Sequence, residues 1–266
     1  MRTRIITGLI LGAMAIALLT MAPPWCVYLL IQVACLIAAD EFYRITLGSE
    51  WCRERVAGMG AIACTVAAAW WCPEFLAETL MGVMPLLLVV SLSSGDEVEK
   101  MGPRAMASLA GAYYIGLSFA ALTRIAAEQS PEGPLLLLAL FAAVFAGDTG
   151  AYFSGKFLGN RKLYPKISPK KTWAGAYGGA MASALGFWLV DTLAGLGFGA
   201  VHSLLLGLGA GISGQVGDLA ESLFKRAWGV KDSGTLLPGH GGLLDRVDGL
   251  LFGAPFMWLM LVGAGL

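Results

Sequence analysis

Apolar residues along this chain come in long runs broken by short polar clusters, and strict apolar–polar alternation is absent, which argues against a transmembrane β-barrel. A helix needs about 20 apolar residues to cross a hydrocarbon core of about 30 Å. Nine runs approach that length: 5–22, 25–39, 56–72, 75–91, 105–123, 135–153, 172–190, 200–219 and 249–266. The second is short and follows Pro23-Pro24, so the first two are expected to form a tight helical hairpin. The predicted fold class is all-α: a polytopic integral membrane protein with about nine transmembrane helices.

Composition supports this class. Of 266 residues, 57% are hydrophobic and 14% charged, with a mean hydropathy of +0.72; soluble domains carry roughly 25% charged residues. The formal net charge is zero, so only the distribution of charge informs, and no nucleic-acid partner is expected. With the nine runs in place, every lysine and arginine except Arg124 falls on one side. The positive-inside rule then puts the N-terminus in the cytoplasm and the C-terminus outside. Arg2, Arg4 and the following apolar stretch resemble a signal peptide, but no small-x-small site precedes the Pro-Pro, so a retained first helix is expected. Five cysteines, mostly inside the runs, show neither metal spacing nor a disulfide framework and read as small packing residues.

The two halves differ in texture. Residues 1–134 read as scaffold helices, suited to lipid access or dimer contacts, and their acidic pairs Asp40-Glu41 and Asp96-Glu97 read as solvated helix caps. Residues 135–266 read as the catalytic region, with two cytoplasmic loops, 154–171 and 220–248, dense in glycine and charge. No internal repeat of the transporter kind is visible.

Asp148 lies inside the sixth run, where a carboxylate costs at least about 2.5 kcal/mol and so needs a partner or water. It shares a helical face with Tyr152 and Gly155. It is either a ligand position near the cytoplasmic end or a structural hydrogen bond to a neighbouring helix. In KISPKKTWAG (166–175), Ser168 and Pro169 read as N-cap and first helical residue, so Lys170 and Lys171 would crowd the positive end of a helix dipole. That suits a bound phosphate, or equally an anchor to anionic headgroups. In GDLAESLFKR (217–226), Asp218, Glu221, Ser222 and Lys225 fall on one face; a solvated amphipathic helix end is the bland alternative. Then comes LLPGHGGLLDRVDG (236–249), preceded by Lys231 and Asp232: glycines let backbone N–H groups approach phosphate. Asp245 and Asp248 follow at i, i+3, Arg246 is available to a phosphate, and His240 reads better as a phosphate hydrogen-bonder than as a metal ligand. Carboxylates for a divalent metal, basic residues for phosphate and glycine-rich backbone at a membrane face are the inventory for phosphoryl or nucleotidyl transfer.

At this point a resemblance is specific. SLFKRAWGVKDSGTLLPGHGGLLDRVD (222–248) resembles the signature of the phosphatidate cytidylyltransferase (CDP-diacylglycerol synthase) family, and GDTGAYFSGKFLG (147–159) and ISPKKTWAG (167–175) resemble its two preceding blocks. One departure stands out: the family's block carries glutamate where Ala174 precedes Gly175. The resemblance implies transfer of the cytidylyl group of CTP to phosphatidic acid, giving CDP-diacylglycerol and pyrophosphate for phospholipid biosynthesis. It further implies a homodimer in the cytoplasmic (inner) membrane, active at the cytoplasmic face, that requires Mg²⁺, with K⁺ as a candidate second ion. Carried onto this chain, Asp218, Lys231, Asp245 and Asp248 are the expected catalytic residues. Asp218 and Asp245, then Asp248 and Asp148, are the expected metal ligands. Lys170, Lys171, Ser222, Lys225, Arg226, His240, Gly241, Gly242 and Arg246 are the expected substrate contacts. The phosphatidate phosphate is itself the nucleophile, so no strong general base is needed.

Three competitors are weighed. A CTP-dependent isoprenoid-lipid kinase would want a base near an alcohol. The CDP-alcohol phosphotransferase pattern breaks after Asp248-Gly249. An ion-coupled transporter explains Asp148 and Asp218 but not basic glycine-rich loops confined to one face.

Overall fold

The computed structural model describes residues 12, 16–48, 52–127, 132–236 and 241–263. Most of the first run, 5–22, and His240 therefore lie outside the described residues. The remaining runs are helices: α1 (Pro24–Leu47), α2 (Arg53–Trp71), α3 (Leu76–Leu92), α4 (Val98–Ala127), α5 (Glu132–Leu158), α6 (Trp173–Ala194), α7 (Ala200–Ala227), a single turn α8 (Leu244–Val247) and α9 (Leu250–Gly263). A 3-10 turn, Pro73–Phe75, leads into α3. Among the described residues, four helical segments are long and apolar enough to cross a membrane: α1, Pro73–Leu92, α4 and most of α5. The architecture is that of an all-α membrane protein. Large apolar side chains such as Leu29, Met84, Leu86 and Val89 lie exposed on the outside of these helices, the pattern expected where lipid is the solvent.

Several helices outrun the apolar stretches that predict them. Helix α1 has 24 residues and does not stop at residue 39; Pro24 starts it with a ring that suits a first helical position, and it continues through Asp40 and Glu41 to Leu47. Helices α4 and α5 reach 30 and 27 residues. The C-terminal half of α5 carries Asp148, Tyr152 and Gly155.

Loop 154–171 is not irregular. Helix α5 takes its first turns, and an antiparallel hairpin follows, β1 (Lys162–Tyr164) with β2 (Ser168–Thr172), pairing Lys162 with Thr172 and Tyr164 with Ser168. This corrects the expected cap at Ser168-Pro169: those residues are strand, and the N-cap of α6 is Thr172. Its backbone is extended, and its Oγ1 accepts a hydrogen bond from Gly175 N at 3.1 Å, satisfying one of the helix's free N–H groups.

Helices α5 and α6 pack backbone to backbone. A Cβ on Gly150 would stand 2.8 Å from Gly178 O, so glycine is required for this approach. The buried core continues across both halves of the chain, from Val27 and Phe42 through Ile115 and Phe119 to Leu140, Leu251 and Met257. Among the described residues all cysteines are free; Cys35 is buried, while Cys64 and Cys72 are exposed rather than core.

Candidate active site

Four elements converge at one end of the bundle: the C-terminal half of α5, strand β2, the first turn of α6 and the end of α7. They enclose a cavity of about 440 Å³ lined by Asp148, Tyr152, Gly155, Lys170, Lys171, Gln215 and Asp218, among others. Asp148, Tyr152 and Gly155 share the α5 face that their spacing predicts. Lys171 Nζ lies 2.7 Å from Asp218 Oδ2, and Gln215 Nε2 donates to Ala176 O at 3.1 Å. Glycines keep the walls close. Ala174 is half-buried on α6 and is not among the lining residues, whereas its neighbours Gly175 and Ala176 are.

Next to the cavity, α7 continues into a chain of charges. Ser222 Oγ is 3.4 Å from Asp218 Oδ1. One turn further, the half-exposed end of the face is replaced by burial: Glu221 is 1% exposed, and Lys225 Nζ bridges it at 2.8 Å to Asp245 at 2.6 Å. The other Asp245 oxygen accepts from Ser233 N (2.9 Å) and Gly242 N (3.0 Å). Burial alone would raise the Asp245 carboxyl; the Lys225 ammonium and the two N–H groups outweigh it and hold the group at about 2. This face is thus an ordered network and not a solvated helix end.

Asp248, three residues on, has the opposite environment. Its Oδ1 accepts from Gly249 N at 2.7 Å, and among the described residues no ion pair reaches it. Burial, then the charges of Asp218 and Asp148, push its carboxyl up to about 7. With two neighbouring carboxylates and, among the described residues, no ion pair, Asp248 is short of positive charge. Among the described residues, no three acidic, histidine or cysteine side chains form a ready-made ligand set for one ion.

The sequence-derived residues divide accordingly. Asp148, Lys170, Lys171 and Asp218 meet at the cavity, and Ser222, Lys225, Asp245, Gly241 and Gly242 join the adjoining network. Arg246 is exposed, within electrostatic reach of Asp148. Arg226 and Lys231 are exposed and line no part of the cavity; Arg226 Nη1 donates to Val230 O, just past the end of α7, at 3.1 Å.

Two acidic residues of the N-terminal half correct the reading of a solvated cap. Asp40 holds the fully buried Arg55 guanidinium and pairs with Arg44 at 2.7 Å. Glu41 is 6% exposed and accepts from Ser233 Oγ (3.1 Å), Leu243 N (3.0 Å) and Leu244 N (2.8 Å). The signal for it lay in its neighbours: Ala38-Ala39 and Phe42-Tyr43 are all buried, so α1 carries its apolar face past the acids. Asp96 and Glu97 do behave as expected, pairing with Arg104 and Lys100 at the solvated start of α4.

The sequence profile of the cytidylyltransferase family matches residues 2–263. A Pseudomonas aeruginosa protein named phosphatidate cytidylyltransferase is 35% identical over 269 residues, covering 100% of this chain and 98% of that protein. Proteins of the same name from Brucella suis and Bacillus subtilis are 48% and 41% identical over 153 and 150 residues, each alignment covering 56% of this chain and 55% of the relative. In those two alignments the chain spans about half the length of the relatives it matches.

Proposed function

Because the chain belongs to the cytidylyltransferase family, we propose that it transfers the cytidylyl group of CTP to phosphatidic acid, releasing pyrophosphate and leaving CDP-diacylglycerol in the membrane. The observation that carries this reading is the meeting of Lys170, Lys171, Asp148 and Asp218 in one cavity beside the Lys225–Asp245 network. Ammonium groups neutralise a polyphosphate, glycine backbone allows close approach, and no residue need act as nucleophile because the lipid phosphate already is one. One bond forms, between a phosphatidate oxygen and the α-phosphorus of CTP. One breaks, between that phosphorus and the bridging oxygen that leaves with pyrophosphate.

Mg²⁺ belongs to this reading, with K⁺ as a second ion. Mg²⁺ is commonly held by one or two carboxylates together with substrate phosphate oxygens, which the present donors fit. Lysine ammoniums already stand at Asp218 and Asp245, where a cation would stand, whereas among the described residues no ion pair reaches Asp248 or Asp148. Asp248 and Asp218 would hold the ion with Asp148 beside them, Asp218 joining as Lys171 moves from it to a substrate phosphate. Both oxygens of Asp245 are engaged, so it would join only by releasing Lys225 or an N–H group. The ion would draw charge from the phosphates as the leaving group departs. The chain's own residues hold the triphosphate (Lys170, Lys171), set the loop backbone (Asp245) and orient Lys225.

The reading also includes a homodimer in the inner membrane, nine crossings, a cytoplasmic N-terminus and a cytoplasmic active face. Pyrophosphate release by detergent-purified protein tests it. Release requiring CTP, phosphatidic acid and Mg²⁺ together, with a CDP-lipid product, is expected. Transfer of a single phosphate to an isoprenol, or no turnover by folded protein, defeats it.

A further inference from the structure

Glu41 stands out because it is a buried acid with no cationic partner among the described residues, from the half of the chain that carries none of the signature motifs. Among the described residues its three hydrogen-bond donors lie 192 to 203 residues away, in the loop that leads to Asp245 beside the proposed site. They come from both ends of that loop: Ser233 at the start, Leu243 and Leu244 at the close. The two N–H donors go to different carboxylate oxygens, Leu243 to Oε1 and Leu244 to Oε2. The fit is tight on the loop side as well. A Cβ on Gly234 would stand 2.6 Å from Glu41 Oε1, and one on Gly242 would stand 2.5 Å from Oε2. Ser233 and Gly242 are also the residues whose N–H groups hold Asp245. Asp245 N in turn faces Ser233 Oγ at 3.3 Å, closing a ring of contacts between the two carboxylates.

We propose that Glu41 is a positioning residue of the site: its carboxylate ties Ser233 to Leu243 and Leu244, fixing the backbone N–H groups that hold Asp245 against Lys225. This inference rests on the cytidylyltransferase reading for its catalytic consequence, but not for the tie itself. A carboxylate suits the task because it offers two acceptors to two converging N–H groups. Glutamine offers one oxygen and turns an amide NH₂ toward the other donor, so Glu41→Gln removes the tie with almost no change of volume. The same acid therefore couples a helix of the first half to chemistry carried by the second.

The test uses the full-length protein in detergent. Hydrogen–deuterium exchange of peptides covering 233–236 and 241–247 is compared between wild type and Glu41→Gln, alongside pyrophosphate release from CTP and phosphatidic acid. Faster exchange confined to those peptides, with kcat lowered on the order of 10–100-fold, is expected. Ser233→Ala is expected to act in the same direction, and the two substitutions together to lower kcat by less than the product of their separate effects, since both break one ring. Unchanged exchange in Glu41→Gln overturns the proposal. So does loosened exchange with wild-type kcat, or a double variant whose effects simply multiply. Should Glu41→Gln not fold, Ser233→Ala alone decides by the same exchange and kcat criteria. If the wild type itself releases no pyrophosphate, the proposed reaction falls, while the exchange measurement still decides whether Glu41 holds the loop.

Discussion

Replacing Lys225 by methionine keeps the length of the side chain and deletes its charge. The ammonium lies 2.8 Å from Glu221 and 2.6 Å from Asp245, whose side chains are 2% and 7% exposed. Removing one partner of a buried pair costs about 3–5 kcal/mol, because the surviving charge stays out of water. Here Asp245 keeps its bonds from Ser233 N and Gly242 N, and Glu221, whose carboxyl burial already raises to about 8, takes up a proton once the ammonium is gone, so the lower end, about 3 kcal/mol, is expected at pH 8. The pH dependence has a definite sign. In the wild type the Asp245 carboxyl sits at about 2, below its unfolded value, so its contribution is complete above pH ~4 and is lost as pH falls toward 2. Without Lys225, burial is opposed by the two N–H groups alone, and the folded-state pKa moves up. Protonation then relieves the buried charge at milder acidity. Thermal unfolding of purified protein should show a midpoint lower by roughly 6–10 °C at pH 8 and a smaller deficit at pH 5. Adding Glu221→Gln should recover part of the loss at pH 8. A deficit that is equal at both pH values, or below about 2 °C at pH 8, would refute the argument.

Asp248→Asn should separate activity from stability. Its carboxyl is raised to about 7, so the wild type loses stability as pH climbs through the range from about 4 to 7; the variant should unfold a few degrees higher at pH 8, differ less at pH 5, and release pyrophosphate about 100-fold more slowly. Thr172→Ala removes the cap of α6 at the join with β2, costing about 1 kcal/mol, and should raise the KM for CTP by loosening the strand that carries Lys170 and Lys171.

How far the sequence reaches depends on how local each signal is. Run length finds the helices because a bilayer asks for about 20 apolar residues regardless of what the rest of the chain does. It misplaces their ends because α1, α4 and α5 continue into polar sequence, where Asp40–Arg44 pairing on α1, Arg104–Asp96 pairing at the start of α4 and Lys156 over the Tyr152 ring on α5 accompany the extra turns. The hairpin escapes for a related reason: strands of three and five residues carry too little periodicity, and Ser168-Pro169 imitates a helix start until Thr172 is seen to reach Gly175 N. Glu221 and Lys225 are legible at i, i+4, whereas the Lys225–Asp245 bridge needs the fold to bring the loop back over α7.

Glu41 is the limiting case. Among the described residues its donors are two backbone N–H groups and a serine hydroxyl, with no cation, and no local pattern marks them, since they lie about 200 residues away. A buried carboxylate without a cation must still have its lone pairs satisfied, and converging N–H groups do this at the smallest cost in added charge. A cationic partner at Glu41 would have placed another positive charge near Ser233 and Gly242, competing with Lys225 for Asp245. The neutral donors hold the loop and leave that pair intact. The acid that organises the loop can therefore sit in the apparently featureless half of the chain, because what it supplies is acceptor geometry and not a charge partner.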